Sequence, residues 1–268
     1  MKIDDKRILL ENILRSLQSV LIGFSGGVDS TLLLQIGIEV LGRENILPVT
    51  IRSEVNTDEE IAAAIKLAES MGAEHLVLPI SDLNCELFVS NPPDRCYHCK
   101  KHHYTVLLRL AQEKNLAHVI DGSNYSDLED YRPGARALQE LGIKTPLQEA
   151  MLTKEDIRKL SRQYGLPTWN QPARPCLATR IPYGTSITAS TLRRIARAEA
   201  VLHSNGFAHC RVRHHDTLAR IELPQDHLAR LLNDNALEAI ITGIKAAGYT
   251  YVTLDLEGYR MGSLNEKK

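Results

Sequence analysis

The chain has 268 residues, with Lys+Arg 32 against Asp+Glu 33 and a formal net charge of −1. A chain of this length buries about 70–75% of its unfolded surface, so neither a disulfide nor a structural metal is required to hold a core. Hydrophobic content of 43% and charged content of 24% exclude wholesale disorder, no apolar run suffices for a membrane span, and the near-neutral charge argues against a protein that holds long nucleic acid.

The first segment, MKIDDKRILLENILRSLQSV, reads as a charged amphipathic helix and not as a signal peptide, which needs an unbroken apolar run. Val20–Phe24 is a short apolar strand that runs into a Gly-rich turn, and Thr31–Leu41 is a helix. Ile46–Ile51 reads as a second buried strand. Thr57 and Glu60 have capping-box spacing and start a helix with Ile61, Ala64, Ile65 and Ala68 on one face, ended by Gly72. Glu74–Leu78 and Ala117–Asp121 are strands three and four, separated by a helix from Cys96 to Glu113. Strands alternating with helices predict an α/β fold, a doubly wound parallel sheet covered on both faces.

The second half changes character. Thr153 and Asp156 cap a helix ending at Tyr164–Gly165, and residues 166–187 carry four prolines in a stretch too irregular for a core element. A helix (Ser190–His203), two close strands (His209–Arg213 and Ala219–Leu223), a helix (Asp234–Ala247) and a strand (Tyr249–Leu256) follow. Two strands a few residues apart suggest an antiparallel pair, so this part is α+β. The expected division is a larger domain over residues 1–185 and a smaller C-terminal domain over 186–268.

Ser25-Gly26-Gly27-Val28-Asp29-Ser30 lies between the first strand and its helix. Two glycines let the backbone turn its N–H groups onto an anion, the helix N-terminus adds unpaired donors, and Ser25 and Ser30 add hydroxyls. The Lys and longer span of the GxxxxGK[ST] loop are lacking. SGGVDS resembles instead the pyrophosphate loop of ATP pyrophosphatases, which cleave ATP between its α and β phosphates. Asp29 suits magnesium through oxygen ligation, or is simply a first-turn acid. Asp121 and Asn124, in Asp121-Gly122-Ser123-Asn124 at the end of strand four, lie where doubly wound folds hold ligands, although all four are also turn formers.

Five cysteines (85, 96, 99, 176 and 210) form an odd set with no secretion signal, so reduced thiols and a cytoplasmic location are expected. Cys96 and Cys99 form a CxxC on one helix face, with Arg95, Lys100 and Lys101 placed to favour thiolates. A lone CxxC serves zinc, iron–sulfur clusters, redox exchange or nothing. Cys176 sits in an electropositive, proline-flanked segment with Arg174 and Arg180, which suits a reactive or ligating thiolate. Cys85 and Cys210 read as structural, and His102 and His103 as helix surface or packing. Arg211 and Arg213 alternate along a strand, a pairing that suits phosphate recognition or two solvated strand arginines.

SGGVDS, DGSNYSDLEDYRPG (121–134), PARPCLATRIPYG (172–184), RVR (211–213) and DLEGYRMGSLNE (255–266) together resemble the LarE family of pyridinium-3,5-biscarboxylic acid mononucleotide sulfurtransferases, nearly end to end. The resemblance implies a pyrophosphate-loop ATPase domain of the adenine-nucleotide alpha-hydrolase kind with a smaller C-terminal domain. It further implies adenylation of a substrate carboxylate and sulfur transfer to a thiocarboxylate, for the nickel-pincer cofactor of lactate racemase. ATP, magnesium and a small mononucleotide substrate follow, with no nucleic acid or membrane partner, and a homo-oligomer is expected; the sulfide donor is not specified. Some members use a lone cysteine matching Cys176 as a sacrificial donor. Others hold a [4Fe–4S] cluster on three cysteines, matched here by Cys96, Cys99 and Cys176, and the CxxC favours that type. Arg211 and Arg213 match substrate-phosphate positions, while Arg180, Glu199, Glu222 and Arg260 are candidates at or near the same site. A tRNA thiolase and a zinc-containing nucleotide-binding module are the rival readings; the absence of a basic arm disfavours the first, and a lone CxxC without a partner pair the second.

Overall fold

In a computed structural model, which describes residues 1–129, 132–233 and 235–260, the chain forms two compact units. The first comprises residues 1–85 and 94–174, the second residues 86–93 and 175–268. Among the described residues no helix is long and apolar enough to cross a membrane.

In the first unit, α1 (Ile3–Leu17) buries Leu10, Leu14 and Leu17 along one stripe, with Asp4 and Asp5 in its first turn and Arg15 in its last, as the helix dipole favours. β1 (Val20–Gly23) leads into α2 (Val28–Leu41), whose leucines are buried nearly all round. β2 (Ile46–Arg52), α3 (Asp58–Ser70) and β3 (Leu76–Pro79) follow. The capping box at Thr57 is formed: Thr57 Oγ1 accepts from Glu60 N, and Glu60 Oε2 from Thr57 N. After α4 (Glu86–Val89), a short turn of the second unit, come α5 (Arg95–Glu113) and β4 (His118–Ile120).

The sheet has the order β3-β2-β1-β4, and every pairing is parallel. The chain therefore steps outward from β1 to β3 and then returns to the other side of β1. Strand order reverses between β1 and β4, and their carboxyl ends open the crevice in which such sheets bind ligands. Lys144 covers the free edge of β4, accepting from Asp121 N and donating to Val119 O through its backbone. Two helices on which the sequence reading is silent, α6 (Pro133–Glu140) and α7 (Pro146–Glu149), precede α8 (Lys154–Gln163), capped by Thr153.

The second unit has α9 (Ala189–Ser204), β5 (Arg211–His215), β6 (Leu218–Glu222), α10 (Gln225–Leu232), α11 (Leu237–Ala246) and β7 (Tyr251–Leu254). β5 and β6 are antiparallel, as expected, whereas β7 adds to β6 in parallel. Its core joins Leu202, Phe207, Val212, Ile221, Ile240 and Ile244. The helix expected over 234–247 covers Leu237–Ala246, with residue 234 outside the described residues, and α10 before it was not anticipated. Residues 86–93 join this unit because Asn91 is buried and Nδ2 donates to the carbonyls of Pro182 and Thr185, while Gly184 N donates back to Asn91 O.

Candidate active site

The Ser25–Ser30 loop leaves β1 at the reversal point. Gly26 takes φ +68°, a left-handed conformation that turns the loop, and an added Cβ would lie 3.1 Å from the Ala64 Cα. The first intrahelical bond of α2 runs from Thr31 N to Gly27 O, so the N–H groups of Val28, Asp29 and Ser30 have no intrahelical acceptor. Ser25 Oγ lies 3.2 Å from Ser30 Oγ and accepts from Gly27 N, which draws the two hydroxyls together over these donors. Gly122, after β4, packs against the same helix start: a Cβ there would lie 3.2 Å from Ser30 N. The two sequence motifs are thus contiguous.

Asp29 is paired with Lys154 Nζ, a residue the sequence reading did not single out, and accepts from Asn124 Nδ2 at 3.4 Å. Burial pushes the Asp29 carboxyl up, and Lys154 offsets this only in part. Asn124 Oδ1 is buried with no hydrogen-bond partner among the described residues.

Asp121 ties this crevice to the helix that carries the CxxC. It accepts from Lys100 Nζ at 3.0 Å, Ser123 N at 2.7 Å, the Ser123 hydroxyl and the Tyr104 hydroxyl. Burial pushes this carboxyl up, but Lys100, Ser123 and Tyr104 outweigh it and bring it from 3.8 down to about 2. A lowered carboxylate stabilises the fold above its unfolded-state value and loses that contribution as pH falls through its folded one. Stability worth about 2 kcal/mol should therefore disappear between about pH 4 and pH 2, and Asp121→Asn should flatten that limb in urea titrations at stepped pH.

Cys96 is exposed and Cys99 half-buried near the start of α5. The lysines expected to favour their thiolates have other partners: Lys100 pairs with Asp121, and Lys101 with Glu140 at 2.8 Å and the Tyr97 hydroxyl at 2.7 Å. Cys99 instead faces His103 and Asp82, with Sγ 3.8 Å from His103 Nδ1 and 3.6 Å from Asp82 Oδ1. His103, read from sequence as surface or packing, donates from Nε2 to the buried Asp82 at 2.7 Å. The signal was present in the chain, since Cys99 and His103 are four residues apart on a helix and share a face.

In the second unit, half-buried Cys176 precedes a 3-10 turn over Leu177–Arg180. Its carbonyl accepts from Thr179 Oγ1 at 2.8 Å and Arg180 Nη1 at 3.0 Å. Arg180 and Glu199 form a buried two-bond pair at 2.9 and 3.0 Å, and Glu199 also accepts from Val212 N. Arg213 is buried, donating to Thr179 O at 2.9 Å and to Glu222 at 2.7 Å, so it is no solvated strand arginine. Arg211 is half-buried, with its guanidinium 5.3 Å from the Tyr259 ring centre, and burial followed by Arg180 lowers its proton affinity. Arg260 pairs with Glu257 at 2.6 Å. Cys210 is buried, which pushes its thiol well up and keeps it protonated. Residues 130–131 and 261–266 of the sequence motifs lie outside the described residues.

The NAD synthase family model matches residues 8–95, the segment that holds the Ser25–Ser30 loop. Over 66 residues, 25% of this chain and 12% of the relative, the chain is 41% identical to a glutamine-dependent NAD(+) synthetase of Thermotoga maritima. With the loop at the reversal point of a parallel sheet, this defines an enzyme of the ATP pyrophosphatase type. Two longer matches narrow the class. The chain is 40% identical over 261 residues, 97% of its length and 94% of the relative, to pyridinium-3,5-bisthiocarboxylic acid mononucleotide synthase of Lactiplantibacillus plantarum. It is also 40% identical over 259 residues, 96% of both chains, to an uncharacterised protein of Synechocystis sp.. The chain belongs to the LarE family.

Proposed function

We propose that the chain is an ATP-dependent sulfurtransferase that converts pyridinium-3,5-biscarboxylic acid mononucleotide to its thiocarboxylate, a step toward a nickel-pincer nucleotide. The observation that carries this reading is the Ser25–Ser30 loop at the β1/β4 reversal, in a chain 40% identical over nearly its full length to a bisthiocarboxylate mononucleotide synthase. The loop N–H groups and the Ser25 and Ser30 hydroxyls bind the β and γ phosphates of ATP. A substrate carboxylate oxygen attacks the α phosphorus, the bond to the β-phosphate oxygen breaks, and pyrophosphate leaves on the donors that already hold it. Asp29 and Asn124 would hold magnesium, whose charge offsets that of the phosphates. Lys154 pairs with Asp29 and would add a positive charge beside the phosphates. Asp121 positions the α5 end of this site through Lys100 and Tyr104.

The second unit binds the substrate phosphate, with Arg211 as its contact and Arg213 as the buried residue that fixes the strand. Arg180, Glu199 and Glu222 hold the frame, and Arg260 is the remaining phosphate candidate. The thiols of Cys96, Cys99 and Cys176 lie outside any disulfide and are exposed or half-buried, and thiolates are the ligands an iron–sulfur cluster takes. When bound, a three-cysteine [4Fe–4S] cluster supplies an iron without a protein ligand, on which sulfide is carried. The enzyme is taken to act in the cytoplasm as a homo-oligomer.

Anaerobically reconstituted protein given ATP, magnesium, sulfide and the dicarboxylate mononucleotide should yield AMP, pyrophosphate and a product with oxygen replaced by sulfur, read by mass spectrometry. ADP and phosphate instead would overturn the loop assignment. Dehydroalanine at Cys176 after turnover would replace the cluster by sacrificial donation.

A further inference from the structure

Cys99 has two partners that the proposed cluster does not use. Among the described residues, Asp82, Cys99 and His103 bring a carboxylate oxygen, a thiol sulfur and an imidazole nitrogen within 4.8 Å of one another. We infer that these three side chains form a mononuclear site for a divalent transition ion of the zinc or ferrous class, separate from the three-cysteine set and sharing only Cys99 with it.

The distances fit a tetrahedral ion. Bond lengths of about 2.3 Å to sulfur, 2.05 Å to nitrogen and 2.1 Å to oxygen place sulfur about 3.5–3.6 Å from each of the other donors, and nitrogen about 3.4 Å from oxygen. Cys99 Sγ lies 3.6 Å from Asp82 Oδ1, and 3.8 and 3.9 Å from the two His103 nitrogens. Only the His103–Asp82 separation is short, at 2.7 Å, because those atoms share a proton. Replacing that proton by a metal ion lengthens this one edge and leaves the other two in place.

A second observation points to a cation at this place. Asp82 is fully buried, and its other oxygen, Oδ2, has no hydrogen-bond partner among the described residues. Burial raises the carboxyl's proton affinity, although His103, the Ser53 hydroxyl and Cys99 all lower it. A buried carboxylate oxygen without a donor is costly, so such groups normally have a donor or an ion. The backbone at Asp82 is also held in place: Asp82 N donates to Glu54 Oε2 at 3.1 Å, and Ser81 Oγ donates to the other Glu54 oxygen at 2.5 Å. Mixed thiolate, imidazole and carboxylate donors select zinc or ferrous iron over magnesium or calcium, and three protein ligands leave one position open. Binding displaces the Cys99 thiol proton and frees the His103 nitrogen from its bond to Asp82.

This goes beyond the cluster reading, and the two separate by ligand. Reduced, metal-free full-length protein titrated with Co²⁺ should take up one equivalent, with thiolate-to-cobalt charge-transfer and tetrahedral ligand-field bands. The bands should persist in the Cys96→Ser/Cys176→Ser double variant, which cannot hold a three-cysteine cluster. His103→Ala should weaken Co²⁺ binding by at least about tenfold and still form a brown cluster on reconstitution. If alanine unfolds the chain by circular dichroism, His103→Gln, which keeps a donor toward Asp82, takes its place. Unchanged cobalt affinity in the His103 variant overturns the site, as does loss of the bands in the double serine variant. A missing brown colour in wild type overturns the cluster alone.

Discussion

Glu222→Ala should destabilise the second unit by about 3–5 kcal/mol, the usual cost of stripping one partner from a buried charge cluster. Glu222 is fully buried and holds two guanidiniums, Arg213 Nη2 at 2.7 Å and Arg220 Nη2 at 3.1 Å. Arg220 has some solvent and sits 3.5 Å from Asp255, so its charge is partly met elsewhere. Arg213 is 5% exposed, and its only other bond is to the Thr179 carbonyl among the contacts described above. Its charge is then left in the interior. The measurement is amide hydrogen exchange across β5 and β6, where protection should fall by the same free energy if the unit opens as one. Replacing the pair by apolar residues, Arg213→Met with Glu222→Leu, should recover most of that stability, because the desolvation cost of both ions goes with them. A single-variant loss below about 1 kcal/mol would mean that water reaches the cluster, contrary to its burial.

The same cluster shows what a sequence does and does not reveal. The alternation of Arg211 and Arg213 was legible as a common strand face, but their environments were not: one is half-buried beside Tyr259, the other committed to Glu222. Depth depends on α9 and the Leu177–Arg180 turn, which no local spacing encodes. Elements with local grammar were readable. Thr57 with Glu60 and Thr153 with Asp156 are reciprocal caps within four residues, and both open helices where expected. The parallel sheet followed from apolar runs separated by helices, and the phosphate loop from six consecutive residues. α10 is legible in principle, since Pro224 precedes an amphipathic Gln225–Leu232. Lys154 on Asp29, 125 residues away, and His103 on Asp82, 21 residues away, are products of packing alone. Partners of that kind become visible only when the fold is in hand, even where half of the set, as with Cys99 and His103, is written at helical spacing.

The two glycines of the phosphate loop should respond very differently to the same substitution. Gly26→Ala forces a side chain onto a left-handed backbone, at a cost of about 1–2 kcal/mol, and presses a Cβ to 3.1 Å from the Ala64 Cα, which is backbone and cannot swing aside. Gly27 is extended, with φ −78° and ψ 168°, and its added Cβ would meet only the Ser25 hydroxyl, at 3.3 Å. A serine side chain can rotate away. Relief at position 26 therefore comes from moving the loop off α3, which turns its N–H groups away from the pyrophosphate they are proposed to receive. Losing one pre-organised donor of this kind typically costs about 10²–10³ in rate. Gly26→Ala should accordingly lower pyrophosphate release by at least about a hundredfold while the protein stays folded. Gly27→Ala should fall by less than about tenfold, since the loop backbone need not shift. Pyrophosphate release at saturating ATP, with a thermal melt on each variant, separates chemistry from folding. The reverse order, with Gly27→Ala inactive and Gly26→Ala near wild type, would show that the loop grips its anion through the Ser25 hydroxyl and not through the turn that Gly26 makes.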